Sequence, residues 1–189
     1  MRLIAACGTS PSGRRNACMI AFAYRGGFRA AELCGLELVD LNRDRIAELG
    51  YLLVRVRAEI AKRGHERHVC VDAGVLPYLD AWLETRRRLG IRSPVLFCTI
   101  AAPTRGGTLD TSYLRQLLPR LARRAGLKRR VHPHALRATM ATEMAHENIP
   151  LPALQEQLGH GSLMTTFLYV KKLTPELALA PIAARSNWS

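Results

Sequence analysis

The sequence predicts an α+β fold that is mainly helical and contains one small antiparallel β-hairpin or sheet. Residues 17–24 are almost wholly apolar, as in a helix buried in a core. Residues 51–71 change to an alternation of apolar and polar side chains, which is the period of a β-strand. Further along, leucines recur at three- and four-residue intervals over residues 114–121, which predicts one buried face of an amphipathic helix.

The first two predicted helices are separated by glycine. Residues 8–13 form a loop-like stretch, in which Ser10 or Ser12 is suited to cap the helix that follows. The glycine pair at 26–27 ends this helix, and Arg29 opens a second, shorter one.

The alternating stretch predicts a β-hairpin. Its strands cover residues 53–57 and 67–71, and the turn is expected near Gly64, because glycine tolerates the backbone angles of tight turns. Lys62 falls in the connection between the strands.

Helices account for most of the remaining chain. Their predicted spans are residues 72–89, 111–125, 134–146, 153–158, a helix that begins after Ser162, and a last helix capped by Thr174. The basic last turn at 86–88 is expected to be solvated, and Pro119 is expected to kink or divide its helix.

The charge balance points to a polyanionic partner. The 189 residues contain 28 Lys and Arg against 15 Asp and Glu, a formal net charge of +13. Such a surplus favours nucleic acid, whose phosphates release counterions on binding, over charge that merely aids solubility. The five cysteines are dispersed without a C-x-x-C pair, and no apolar run approaches roughly 18 residues. The sequence therefore predicts a cytoplasmic protein without a membrane segment.

Residues 132–169 carry the most distinctive group of reactive side chains. His134 and Arg137 are spaced to project from one helix face, His160 lies in a Gly-flanked turn, and Tyr169 follows in a helical pattern. Arginine binds two phosphate oxygens at once, histidine moves protons near neutral pH, and tyrosine can act as a covalent nucleophile. Together they predict phosphoryl-transfer chemistry.

The pattern H-x-x-R, then L-G-H, then a tyrosine nine residues after that histidine resembles the tyrosine recombinase (phage integrase) family. The segment G-G-F-R-A-A-E-L resembles the family's first arginine segment, with Arg29 as its arginine. Lys62, five residues before Arg67, matches the lysine of the family's K-x-x-x-E-R hairpin. The resemblance implies the fold of a tyrosine recombinase catalytic domain.

The resemblance also implies a role for each matched residue. Tyr169 would cleave DNA through a 3′-phosphotyrosyl linkage, Arg29 and Arg137 would bind the phosphate, and Lys62 would protonate the leaving 5′ oxygen. His134 would handle the proton of the tyrosine, and His160 would donate a hydrogen bond to a phosphate oxygen. The further candidate DNA contacts are Arg63, Arg129 and Arg130. Because the bond energy is conserved in such a reaction, no cofactor and no metal is expected.

The expected partner is a double-stranded DNA recombination site in the nucleoid, bound by a homotetramer whose subunits are monomers in free solution. Residues 1–189 are expected to be one catalytic domain, without the N-terminal DNA-binding domain common in the family. Residues 173–189 are expected to form a helix and tail that dock on a neighbouring subunit, as is common in the family, or that pack against the core of their own chain.

Several alternatives remain open from the sequence. The chain could be a type IB topoisomerase, which shares the tyrosine chemistry, or a non-cleaving DNA-binding regulator of the same fold. Taken singly, Tyr169 could be a core tyrosine, and Arg29 with Glu32 could form a weak surface ion pair. His132 and His134 could bind a metal, although no carboxylate or cysteine is suitably spaced nearby.

Overall fold

The computed structural model describes residues 2–174. These residues form helices and a three-stranded antiparallel sheet. The helices are α1 (Arg2–Ala5), α2 (Pro11–Arg25), α3 (Ala30–Gly35), α4 (Ile46–Leu49), α5 (Leu76–Arg88), α6 (Thr111–Arg124), α7 (Pro133–His146), α8 (Leu151–Leu158) and α9 (Leu163–Leu173). The strands are β1 (Leu41–Asn42), β2 (Tyr51–Val56) and β3 (Arg67–Asp72). The predicted mainly helical α+β class is confirmed, while the helix predicted from Thr174 lies outside the described residues.

The predicted hairpin is the β2–β3 pair. The two strands are antiparallel, with Leu52 opposite Val71 and Val54 opposite Val69, and these four side chains are fully buried on the inner face. Strand β1 extends the sheet on the other side of β2. The sequence did not reveal β1, because two residues are too few to show a strand period.

The core of the molecule is built on α2. Its N-terminus is capped by Ser10, whose Oγ accepts a hydrogen bond from the backbone N–H of Gly13 at 3.1 Å, so Ser10 and not Ser12 is the cap. Phe22 on this helix packs edge-on against Phe97, with ring centroids 5.6 Å apart. Both rings are fully buried, and the burial of Phe22 confirms the prediction for the apolar run 17–24.

Helix α5 begins later than predicted, and its basic end is only partly solvated. Residues 73–75 form a 3₁₀ turn first, because the side chain of Asp72 accepts a hydrogen bond from the Gly74 N–H. The prediction that all three terminal arginines are solvated is wrong for Arg86, which is 3% exposed and donates to the carbonyl oxygens of residues 93, 95 and 96. Its neighbours Arg87 and Arg88 do lie in solvent.

Helix α6 is continuous from Thr111 to Arg124, so Pro119 does not divide it. Its predicted leucine face is buried. The cap is Asp110, one residue before the predicted start, and its carboxylate accepts a hydrogen bond from the Ser112 N–H at 2.7 Å.

Helices α7, α8 and α9 meet in a second, smaller hydrophobic cluster. Met140 and Ala141 from α7 pack there with Leu154 and Leu158 from α8, and Tyr169 on α9 rests against them. The predicted Ser162 cap of α9 is confirmed, because its Oγ accepts a hydrogen bond from the Thr165 N–H. Within residues 2–174, no helix has both the length and the apolar character needed to cross a bilayer.

Candidate active site

A cleft of about 680 Å³ opens between the β2–β3 loop, α6, the start of α7 and the turn between α8 and α9. Six side chains predicted from the sequence line it, although they come from separate parts of the chain. They are Arg29, Lys62, His134, Arg137, His160 and Tyr169. The structure therefore brings all six residues to one place.

Arg137 lies at the bottom of the cleft, where it is 4% exposed. Its guanidinium donates to the carbonyl oxygens of Gly27 and Leu158, which fixes its plane and leaves its other N–H groups for a ligand. Burial, helped by the charge of Arg29, lowers the pKa of Arg137 to about 10. The guanidinium is therefore still charged at neutral pH, without a carboxylate among its hydrogen-bond partners in the described part of the chain.

The backbone of Gly27 favours glycine at this position. Its φ of +63° is a left-handed conformation that side chains disfavour. A Cβ atom there would also lie 1.9 Å from the Cε of Met140. Glycine thus allows the chain to turn closely against α7 and to present the carbonyl that holds Arg137.

Arg29 and Arg67 share one buried carboxylate. Glu32 is 0% exposed, and its two oxygens accept hydrogen bonds from Arg67 Nη1 and Nη2 at 2.9 and 2.8 Å. Arg29 Nη1 adds a bond of 2.8 Å to the same carboxylate, and Arg29 Nη2 donates to the carbonyl of Gly159 at 3.1 Å. The alternative of a weak surface pair is wrong, because the carboxylate is wholly buried.

Burial by itself would raise the pKa of Glu32, but the hydrogen bonds and charge of Arg67, with those of Arg29, lower it below its usual value. The group stays ionised and holds two guanidinium groups. We call Arg29, Glu32, Arg67 and Arg137 the cleft floor.

His160 follows a glycine turn that closes against the floor. Gly159 ends α8 with a φ of +60°, and a Cβ on it would lie 2.7 Å from Arg67 Nε. Burial lowers the pKa of His160 to about 4, and the nearby charges of Arg137, Arg29, Arg63 and Arg67 act in the same direction. The imidazole is therefore neutral at pH 7 in the free protein.

Tyr169 lies beside two histidine rings. Its ring centroid is 5.3 Å from that of His160, at nearly a right angle, and 5.9 Å from that of His134. The hydroxyl is buried and has no hydrogen-bond partner within residues 2–174. Burial raises the pKa of Tyr169, and the charge of Arg137 opposes this only in part. The phenol is thus protonated until something accepts its proton.

The loop between β2 and β3 forms another wall of the cleft. Lys62 and Arg63 are both exposed there, and neither side chain makes a hydrogen bond to another residue of the described range 2–174. A Cβ on Gly161 would lie 2.0 Å from Arg63 Nη1, so this arginine lies directly on the turn that carries His160. We call Lys62 and Arg63 the cleft rim.

The remaining predicted contacts lie near the N-terminus of α7. Arg130 lines the main cleft, whereas Arg129 lines a neighbouring cavity of about 530 Å³. His132 caps α7 through its Nδ1, which accepts a hydrogen bond from the Ala135 N–H at 3.2 Å. Its ring stacks on that of His134, with centroids 6.4 Å apart. Burial, followed by the charge of Arg137, lowers the pKa of His134, which favours a neutral ring.

Sequence reasoning missed three contributors to the cleft. Arg67 belongs to the K-x-x-x-E-R pattern, and its inward position in the strand alternation is the sequence signal for its burial. Arg115 lines the cleft from the first turns of α6. Thr166 is fully buried and contacts His160 at 3.1 Å, and nothing in its spacing distinguished it from the adjacent threonine.

The arrangement is suited to bind a phosphodiester and transfer it to a hydroxyl. Two guanidinium groups, one at the N-cap of α3 and one on α7, line one cleft beside a tyrosine, a neutral histidine and an exposed lysine. Such fixed donors stabilise the extra negative charge that develops on phosphate oxygens in a transition state.

The chain belongs to the phage integrase family, whose model matches residues 1–175. Among curated relatives, the tyrosine recombinase XerC of Corynebacterium efficiens is 34% identical over 165 residues, which cover 87% of this chain and 49% of the relative. XerC of Haemophilus ducreyi is 32% identical over 160 residues, covering 84% of this chain and 48% of the relative. The chain thus spans about half the length of the curated relatives it matches.

Solved structures agree with this family. The crystal structure of XerA recombinase superposes with a TM-score of 0.78 at 25% identity, covering 99% of this chain and 63% of that one. XerH site-specific recombinase bound to a palindromic difH substrate, in a post-cleavage complex, gives a TM-score of 0.75 at 23% identity, covering 98% and 51%. The resemblance to tyrosine recombinases predicted from the motifs is confirmed.

Proposed function

We propose that the chain carries the catalytic domain of a site-specific DNA recombinase, which cleaves and rejoins strands through a 3′-phosphotyrosyl intermediate. The observation that carries this proposal is the convergence of Arg29, Arg137, His160 and Tyr169 in one cleft with Lys62 on its rim. Membership of the phage integrase family supports the same reaction.

The floor would bind the scissile phosphate. Arg137 is held by two backbone carbonyls and Arg29 by Glu32, so both guanidinium groups are oriented before DNA arrives. Such preorganisation matters because no reorientation is needed when charge develops in the transition state. His160 would donate a further hydrogen bond to a non-bridging oxygen.

The proton transfers would use the other three residues. Tyr169 Oη attacks the phosphorus and forms the P–O bond while the bond from phosphorus to the 5′ oxygen breaks. His134, a neutral ring whose centroid lies 5.9 Å from that of the phenol, accepts the tyrosine proton, and Lys62 gives a proton to the departing 5′ oxygen. A 5′ hydroxyl of the partner strand then reverses these steps and releases Tyr169.

The partner and setting follow from the same reaction. Recombination joins two DNA sites, so the active assembly would be a homotetramer on double-stranded DNA, with monomers in free solution. Residues 1–189 would be the catalytic domain, and residues 173–189 would dock on a neighbouring subunit. Arg63, Arg129 and Arg130 would contact phosphates, in a protein located in the cytoplasm with the nucleoid.

The test is trapping of the covalent intermediate. Nicked suicide duplexes from DNA adjoining the chain's own coding sequence are incubated with the chain, and with a fusion that adds a relative's DNA-binding domain. An SDS-resistant adduct is expected, and Tyr169→Phe should abolish it, since the ring is kept and only the nucleophilic oxygen is removed.

The outcomes separate the candidate functions. An adduct that persists in Tyr169→Phe would assign the nucleophile to another residue. Adduct formation with plasmid relaxation but no strand exchange would indicate a type IB topoisomerase. No adduct from the fusion, on DNA that it binds, would refute cleavage and favour a non-cleaving regulator.

A further inference from the structure

The role open to His160 depends on which of its ring nitrogens carries a proton. With a pKa near 4, its ring is neutral at pH 7 and has one N–H group and one bare nitrogen. If the nitrogen facing the cleft carries the hydrogen, the ring donates to a phosphate oxygen. If that nitrogen is bare, its lone pair repels a phosphate oxygen.

The partner of Nδ1 is Thr166. This residue lies on α9, is 0% exposed, and places its Oγ1 3.1 Å from His160 Nδ1. Nδ1 is the ring nitrogen of His160 for which residues 2–174 provide a hydrogen bond. Nε2 is the nitrogen left to meet a ligand.

The threonine hydroxyl has one proton and two possible acceptors. Besides Nδ1 at 3.1 Å, the carbonyl oxygen of Ser162 lies 3.4 Å away. That carbonyl already accepts the backbone N–H of Thr166 at 3.2 Å, so it does not depend on the hydroxyl. Both the shorter distance and this existing bond favour donation from Oγ1 to Nδ1.

The backbone of His160 is fixed independently. Its N–H donates to the carbonyl of Gln155 at 3.1 Å, and its carbonyl accepts from Gln155 Nε2 at 3.1 Å. With the backbone held and Tyr169 edge-on against the ring, Thr166 is the polar contact that determines the orientation of the imidazole.

We propose that Thr166 is a positioning residue, which donates its hydroxyl to His160 Nδ1 and fixes the histidine as the Nε2–H tautomer directed into the cleft. The inference rests on the proposed function for its catalytic consequence, because a donor at Nε2 serves a phosphate ligand. The tautomer itself is a property of the free protein. Second partners of histidines commonly set the tautomer in this way.

The first experiment reads the tautomer without DNA. Two-bond ¹⁵N–¹H correlation spectra of the ¹⁵N-histidine-labelled chain at pH 7 distinguish the two ring nitrogens, and His160→Gln assigns the signal. The Nε2–H tautomer is expected in the natural protein and in Thr166→Ser, and a loss of tautomer preference is expected in Thr166→Val. An Nδ1–H tautomer in the natural protein, or a pattern unchanged in Thr166→Val, would overturn the proposal.

The second experiment tests the consequence for cleavage by the adduct assay. Thr166→Val should slow adduct formation by about 10-fold, as the loss of an orienting partner of a functional histidine does, and Thr166→Ser should restore most of the rate. Thr139→Val is the control, because Thr139 Oγ1 also lies on a helix but donates to a backbone carbonyl, that of Ala135 at 2.9 Å, and not to an imidazole. It should leave the rate unchanged.

A double-mutant cycle separates positioning from mere support of the fold. In a His160→Ala background, Thr166→Val should have no further effect on the rate, since the threonine acts through the ring. An equal loss in both backgrounds would show a structural role and refute the proposal. If even the fusion cleaves none of the DNA that it binds, the proposed function fails, while the spectra still decide the tautomer.

Discussion

The cleft floor and the cleft rim both carry two or more cations, but they hold them in different ways. On the floor, Arg67 is 6% exposed and bidentate to Glu32, and Arg137 is tied to two carbonyls. On the rim, Lys62 and Arg63 are exposed and make no side-chain hydrogen bond within residues 2–174. The difference fits the two tasks proposed for the floor and the rim. Binding a developing charge needs fixed donors, whereas delivering a proton to a departing oxygen needs a side chain that can move.

The largest effect is expected on the rim, from Lys62→Ala. Loss of a general acid should slow cleavage by about 10²- to 10⁴-fold. The melting temperature should barely change, because the side chain is exposed. Single-turnover cleavage of a suicide duplex measures the rate.

A substrate with bridging sulfur in place of the 5′ oxygen sharpens this prediction, because a thiolate leaves without receiving a proton. The sulfur substrate should restore the rate of Lys62→Ala. It should not restore the cleavage rate of Arg63→Ala, since an arginine does not give up its proton near neutral pH. If the sulfur substrate rescued only Arg63→Ala, Arg63 would be the general acid and Lys62 the phosphate contact.

On the floor, Arg137→Lys should reduce both activity and stability. A lysine cannot donate to Gly27 and Leu158 and also bind a phosphate in bidentate fashion, so cleavage should fall by about 10²- to 10³-fold. Arg88→Lys, at an exposed helix end, is the control. A variant with full activity would mean that the rigidity of the floor is not needed.

Neutralising the Glu32 carboxylate should lower the unfolding free energy of the protein. Glu32→Gln leaves Arg67 buried without a counter-charge, which is expected to cost about 3–5 kcal/mol of unfolding free energy. Because the folded pKa of Glu32 is lowered, its stabilisation is present above the unfolded pKa and lost as pH falls through the folded value. The unfolding free energy of the variant should therefore fall less at acid pH than that of the natural protein. Urea unfolding measures both, with the exposed Glu48→Gln as a control that should change little.

His160, between floor and rim, should make stability depend on pH. Its folded pKa of about 4 lies below the ordinary value of 6.5, so the unfolded chain takes up a proton first. Stability should fall as pH drops from about 6.5 to about 4. His160→Gln should show a smaller fall over this interval in urea titrations. Identical slopes for the two proteins would contradict the lowered pKa.

The smallest effects are expected at the entrance. Arg130→Ala should weaken DNA binding a few-fold and reduce the salt slope by about 1, as for one lost phosphate contact. Arg129→Ala should do less, because Arg129 lines the neighbouring cavity and not the main cleft. Binding measured at several salt concentrations compares the two, and a larger effect of Arg129→Ala would reverse the assignment.

The sequence predicted the parts of this site that depend on local spacing. The pair His134 and Arg137 lies one helical turn apart, and the glycine turn before His160 needs a backbone that only a few residues adopt. Helix periods and the strand alternation likewise gave the α+β class and the hairpin.

Features that depend on contacts between distant residues were not predicted. Glu32 looked like half of a local pair, and its burial follows from Arg67, which is 35 positions away. A basic helix end is usually solvated, yet Arg86 donates to the carbonyls of residues 93, 95 and 96. Neither partner can be read from periodicity, since only tertiary packing brings them together.

The side chain of Gln157 limits strand pairing between copies of this protein. Its amide accepts from the backbone N–H of Cys70 at 3.0 Å and donates to the carbonyl of the same residue at 2.8 Å. Cys70 lies on β3, at the outer edge of the sheet, where an open row of N–H and C=O groups would attract a strand from another chain. By occupying the central position of that row, α8 closes the edge to intermolecular pairing. Copies of the chain brought close together on DNA, as in the proposed tetramer, would thereby be protected at this edge from aggregating through strand pairing.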